Sequence, residues 1–115
     1  MTHPIFPESS AALSTRRKAL APKQLETFQA FSKATFADGA LPEKIKQLIA
    51  VAVAHTTQCP YCIRGHTRAA HCCGATPEEI MESIWVAAEM RAGGAYAHST
   101  LALDELKHLE HPGSG

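Results

Sequence analysis

At 115 residues the chain is long enough for one domain with a real core and no disulfide staples. Hydrophobic residues make up 45% of it and aromatics only 6%, a mix of Ala, Leu, Ile and Val that favours closely packed helices. Eleven Lys and Arg balance eleven Asp and Glu, so no long-range field draws in nucleic acid or an anionic membrane, and neither is expected as a partner.

Residues 1–20 carry Pro4, Pro7, Ser9, Ser10, Ser14 and Thr15, then Arg16, Arg17 and Lys18, without sustained periodicity. They read as a mobile or draped arm with a solvated basic triplet. From Pro22 the spacing of Leu25, Phe28, Phe31, Ala34 and Phe36 approximates a helical face, and Asp38-Gly39 stops it. That phenylalanine stripe is expected in the core. Pro42 opens a second helix in which Leu48 to Ala54 are apolar on every side, which predicts burial all round. Gln47, at the edge of this run, either faces solvent or has a buried partner, since leaving it buried and unpaired costs about 1–3 kcal/mol.

Residues 55–58 read as a short connection. The next helix runs from Cys59 to Cys73, with Gly74 as a left-handed cap. Thr76-Pro77-Glu78-Glu79 is a capping box with proline at the first helical position. That helix continues through Ile80, Ile84, Ala87 and Ala88 to Gly93-Gly94, where a break or a close helix crossing is expected. A last helix carries Tyr96, His98, Leu101, Leu103, Leu106 and Leu109. No stretch alternates strictly between turns, so the fold class is all-α with about five or six helices. The division is an arm over residues 1–20, a helical domain over 21–111 and a tail over 112–115.

Residues 1–18 hold no apolar core of signal-peptide length and no apolar run is long enough for a bilayer, so a cytoplasmic protein is expected. In a reducing compartment four cysteines point to catalytic, redox-sensing or metal chemistry rather than to cross-links. The informative pair is Cys59-Pro60-Tyr61-Cys62, followed one turn later by His66. With Pro60 at the first helical position, Cys59 is the N-cap and Cys62 and His66 share a face. A thiol there lies against unpaired N–H groups and the positive end of the helix dipole, which favours thiolate.

Cβ atoms at i and i+3 lie about 5–6 Å apart and a disulfide needs about 3.5–4.5 Å, a gap that slack at the N-cap can close. Cys59 and Cys62 can therefore cycle between dithiol and disulfide, with His66 as acid or base. Cys59 gains most from the helix terminus and Cys62 from the imidazole on its own face; the balance is taken to favour Cys62 as the attacking sulfur. Cys-Pro-Tyr-Cys is also the glutaredoxin tetrapeptide, but that reading needs a preceding strand, and the alanine-rich segment opened by Pro42 is a helix. Zinc held by Cys59, Cys62 and His66, with His55 or Cys73, is disfavoured because ligands along one helix face splay along its axis, and no metal site is expected. Cys72 and Cys73 read as small hydrophobes.

The run Lys46 to Ala54, the Cys59-Pro60-Tyr61-Cys62 motif, His66-Thr67-Arg68-Ala69-Ala70 and Gly74-Ala75-Thr76-Pro77-Glu78-Glu79-Ile80 resemble the carboxymuconolactone decarboxylase superfamily. More narrowly they resemble its alkylhydroperoxidase, AhpD-like branch, over residues 40–105. The resemblance implies an all-α subunit assembled into trimers or hexamers, with thiol peroxidase activity towards alkyl hydroperoxides. It implies that Cys62 attacks the peroxide, that Cys59 resolves it, and that His66 belongs to a proton relay. No bound cofactor is implied; a dithiol donor, such as a lipoylated protein, re-reduces the disulfide.

Two departures stand out. The relay glutamate of that family falls on Gln47, which cannot exchange a proton, and a histidine sometimes found between the two cysteines falls on Tyr61. Glu89, an acid within an apolar segment, and Glu43, one turn before Gln47, are the candidate replacements, with His55 as another candidate member of the relay. A redox sensor or disulfide-exchange protein of the same fold is the alternative. Lactone decarboxylation is the third reading, and the CxxC argues against it.

Overall fold

The computed structural model describes residues 4–113, and among them the chain is helical with no strand. Residues 1–3 of the expected arm and 114–115 of the expected tail lie outside the described residues. The helices are α1 (Ala11–Leu20), α2 (Pro22–Phe36), α3 (Glu43–Thr57), α4 (Pro60–Cys72) and α5 (Pro77–Glu110).

The arm contains a helix that its weak periodicity does not announce. Ser10 caps α1 by accepting the Leu13 amide at 3.2 Å, and Arg17 and Lys18 sit in the last turn, where cations suit the negative end of the dipole. No residue of α1 is buried, so local propensity and capping hold it rather than an apolar face. In α2 only Leu25, Ser32 and Phe36 are partly covered; Phe28 and Phe31 are exposed on a shallow groove, contrary to the expected core stripe.

α3 is the central helix, packed against both α4 and α5. It is not buried all round. Gln47, Val51 and Ala54 form its buried stripe, while Ile49 and Val53 remain about half exposed because no helix among the described residues covers that side. The helix also runs on through residues 55–57, expected as a connection. The side chains of His55, Thr56 and Thr57 bond back to the carbonyls of Val51, Ala52 and Ala54, tying these polar groups onto the helix itself. Only Gln58 and Cys59 then separate α3 from α4. Gln58 takes a left-handed conformation (φ 56°), and the Cys59 amide donates to Ala54 O at 3.1 Å, closing the corner.

α4 ends as predicted, in a Schellman turn. Gly74 has φ 90°, its amide donates to His71 O at 2.9 Å, and the Ala75 amide donates to Ala70 O at 2.9 Å. The capping box at Thr76 forms in both directions: the Glu79 amide donates to Thr76 Oγ1 at 3.1 Å and the Thr76 amide to Glu79 Oε1 at 2.9 Å. α5 then runs for 34 residues without a break at Gly93-Gly94. A Cβ at Gly94 would meet nothing within 4 Å, so no helix of this chain crosses there. Two interior glycines cost about 1 kcal/mol each relative to alanine, which the long flanking turns tolerate.

The core is small and made largely of small side chains. Val51, Ala70 and Ala75 are its centre, with Leu48, Ile80 and Ile84 packed round it. Beyond Gly94 the helix α5 leaves the core, and Tyr96, Leu101, Leu103 and Leu109 are each more than 60% exposed. The radius of gyration is 20.5 Å, whereas a compact domain of this length has about 13 Å.

Candidate active site

The tight corner at Gln58 places Cys59 at the mouth of α4, and Pro60 fixes the first helical φ. Cys59 is the N-cap: its sulfur accepts the Cys62 backbone amide at 3.3 Å. The two thiols are free, Cys59 half-buried and Cys62 exposed.

Their electrostatics run in opposite directions. The Cys62 thiol and then its amide hydrogen-bond to the Cys59 sulfur and hold the Cys59 thiol below the ordinary range. Cys62 is the donor in that pair, so the same bond, followed by desolvation and the Cys59 charge, pushes its own thiol up. Cys59 is therefore the more acidic of the two thiols, and Cys62 is the donor to its sulfur. Burial first, then the charges of Glu43, Cys72 and Asp38, push the Cys73 thiol up, which keeps it apart from the reactive pair.

One turn after Cys62, His66 turns inward. Its Nδ1–H donates to Gln47 Oε1 at 2.8 Å, and its ring stacks on Phe36, with centroids 5.2 Å apart and planes 26° from parallel. Gln47 is only 5% exposed, so its question is answered in favour of a buried partner. Because Nδ1 is the donor, Nε2 carries the lone pair in the neutral imidazole and is the atom left for proton transfer. Around this pair α3 is pinned by Lys44, whose Nζ lies 2.9 Å from Glu79 Oε2, and by Lys46, whose Nζ donates to Ala37 O at 2.6 Å.

Tyr61, between the cysteines, points the other way. Its hydroxyl donates to Pro7 O at 2.8 Å and its ring meets Phe6 edge-on at 6.1 Å. Neither His55 nor Glu89 hydrogen-bonds to His66. The His55 Nδ1–H is spent on Val51 O at 2.7 Å, and Glu89 is exposed beside Gly93 of its own helix. The roles of Phe36 towards His66 and of Phe6 towards Tyr61 went unread in the sequence, because both contacts cross between separate segments. Among the described residues no group of three or more His, Cys, Asp or Glu side chains is placed to hold a metal ion.

The helices form a bundle with two thiols at one helix mouth, and comparison with known proteins gives its family. The carboxymuconolactone decarboxylase family model matches residues 22–105, and the chain belongs to that family. It is 58% identical over 105 residues to an uncharacterized protein of the cox locus of Paracoccus denitrificans, covering 91% of this chain and 94% of the other. An uncharacterized protein of Haemophilus influenzae is 39% identical over 83 residues, 72% of this chain and 74% of its own. Two crystal structures share the fold. One is of a Methanobacterium thermoautotrophicum protein (TM-score 0.69, 34% identity, 73% of this chain and 94% of that one). The other is of an apo carboxymuconolactone decarboxylase family protein from Legionella pneumophila (TM-score 0.67, 31% identity, 84% and 87%).

Proposed function

We propose that this protein is a cytoplasmic thiol peroxidase of the alkylhydroperoxidase type, working through a Cys59–Cys62 dithiol and disulfide cycle. The observation that carries it is the Cys59 sulfur capping the Cys62 amide, with His66 one turn on and oriented by Gln47. The Cys62 proton passes to the Cys59 sulfur or to His66 Nε2, and the Cys62 thiolate attacks the outer oxygen of a hydroperoxide. The O–O bond breaks, the proton taken from Cys62 passes on to the leaving alkoxide to make an alcohol, and Cys62 becomes a sulfenic acid. The Cys59 sulfur then attacks that sulfur, its thiol proton leaving with the sulfenic hydroxyl as water, to give the disulfide. An external dithiol, of lipoyl type or similar, returns two electrons and two protons.

A second reading has its own support. Gln47 is an amide, so the His66 contact aligns a proton acceptor without exchanging a proton through it, and the Cys62 thiol is raised. Both features suit a slower peroxide reaction and a protein whose main traffic is disulfide exchange with a donor or sensor partner.

The working unit is a homo-oligomer, a trimer or hexamer in the family's manner. The exposed Leu101, Leu103 and Leu109 on α5 and Ile49 and Val53 on α3 support this, because so many bare apolar side chains on a short chain call for neighbours. Among the described residues no helix is long and apolar enough to cross a membrane.

The test is to reduce the protein, add one equivalent of an alkyl hydroperoxide and count free thiols. Loss of two thiols, mapped to Cys59 and Cys62, is expected. Four remaining thiols end the peroxidase reading, and thiols lost only to a disulfide reagent favour the second.

A further inference from the structure

Tyr61 lies inside the four-residue turn that a disulfide would close, yet its side chain is committed elsewhere, to a segment 54 positions away in sequence. Its hydroxyl holds Pro7 O at 2.8 Å and its ring abuts Phe6 at 6.1 Å with planes 76° apart. These two contacts fasten the N-terminal segment to the dithiol motif. Behind them the segment turns into α1, enclosing a pocket of about 380 Å³ bounded by Pro7, Ser9, Leu13, Arg17 and Tyr61. α1 has no buried residue of its own, so little else holds it in place.

We propose that Tyr61 is a positioning residue of the dithiol: through Pro7 and Phe6 it ties the N-terminal segment to the reduced form of the CxxC turn, and disulfide formation loosens that tie. The strain argument is local. In the reduced form the Cys59 sulfur accepts the Cys62 amide across an open first turn. Closing a disulfide at this spacing draws the two Cβ atoms in by about 1 Å or more. Pro60 cannot take up the change in φ, so it is shared by the Cys59 N-cap on one side and Tyr61 on the other. The tyrosine ring and hydroxyl shift with that backbone, and the hydrogen bond to Pro7 O weakens as its angle departs from linear.

Linkage makes the coupling reciprocal. A segment that binds the dithiol more tightly than the disulfide must itself favour the dithiol by the same factor. The net worth of one neutral hydrogen bond sets that factor at about five- to tenfold.

The inference rests on the motif forming a disulfide, as the proposed function holds, but its test needs no peroxide. The full-length protein and the Tyr61→Phe and Phe6→Ala variants are equilibrated with mixtures of reduced and oxidised glutathione. Protein dithiol plus oxidised glutathione gives protein disulfide plus two molecules of reduced glutathione. In parallel, trypsin cleavage at Arg16, Arg17 and Lys18, all exposed on α1, reports release of the segment. Expected results are faster cleavage of the disulfide form of the parent protein, fast cleavage of both variants in either state, and a variant equilibrium shifted towards disulfide by about five- to tenfold. Tyr61→Phe keeps the ring and removes only the hydroxyl, so it reads the hydrogen bond without a packing defect. Equal equilibrium constants in all three proteins overturn the proposal, even if the variants release the segment. So does a shift towards dithiol, or cleavage that ignores redox state. Failure to form any disulfide overturns the proposed function as well, which separates the two outcomes.

Discussion

His66 donates its Nδ1–H to the side-chain oxygen of Gln47, 2.8 Å away and buried, so the imidazole beside the dithiol is oriented by an amide rather than a carboxylate. Gln47 orients His66 but cannot exchange a proton with it.

Gln47→Glu therefore puts a carboxylate where the hydrogen bond already exists. The rate of peroxide-driven thiol loss is expected to rise by about tenfold, below the roughly 100- to 10,000-fold that a fully positioned acid or base supplies. Gln47→Leu leaves His66 Nδ1 without its partner and lowers stability by about 1–3 kcal/mol in urea denaturation. Equal rates for Gln47→Glu and the parent protein would remove the relay from the mechanism.

The two motif thiols should titrate as a pair, observed by thiolate absorbance. Cys62→Ala deletes the main donor to the Cys59 sulfur, so the remaining Cys59 titrates at higher pH than in the parent. Cys59→Ala removes the acceptor that raises Cys62, which then titrates at lower pH. The sign for stability follows for each. The depressed Cys59 thiol contributes stability above the unfolded thiol range, lost as pH falls through its folded value. The raised Cys62 thiol contributes below that range, lost as pH rises through its folded value.

Acid should loosen the α3–α5 contact. The Lys44 ion pair, then the Thr76 amide, hold the Glu79 carboxyl below the usual carboxylate value. Its contribution is complete above the unfolded carboxylate value and is lost as pH falls through the folded one. Thr76→Ala removes one half of the capping box and should cost about 1 kcal/mol at neutral pH, measured by thermal or urea unfolding.

Assembly is read by light scattering. A mass of three or six chains is expected, and Leu103→Lys together with Leu109→Lys, on the bare half of α5, should lower it. A compact single chain in the parent protein contradicts the oligomer.

Much of this was legible in the residues. Pro42, Gly74 and the Thr76 box fixed the boundaries of three helices because each acts through local φ restriction or capping. The family followed from the order of the CxxC, His66 and the capping box. Periodicity misled where apolar residues serve surfaces that a single chain leaves open, as with Phe28, Phe31 and the far side of α3. It missed α1, which has a cap and good helix formers but no apolar face, and it placed a break at Gly93-Gly94 where the helix continues.

The sequence by itself determined the dithiol, its place at a helix mouth and the imidazole one turn on, since all three depend on spacing within a single helix. Only the tertiary structure decided what those groups face. Gln47 reaches His66 because α3 packs on α4, Phe36 stacks on the same ring from α2, and Tyr61 meets Pro7 across 54 positions. Contacts between separate segments are set by packing, which no local pattern encodes.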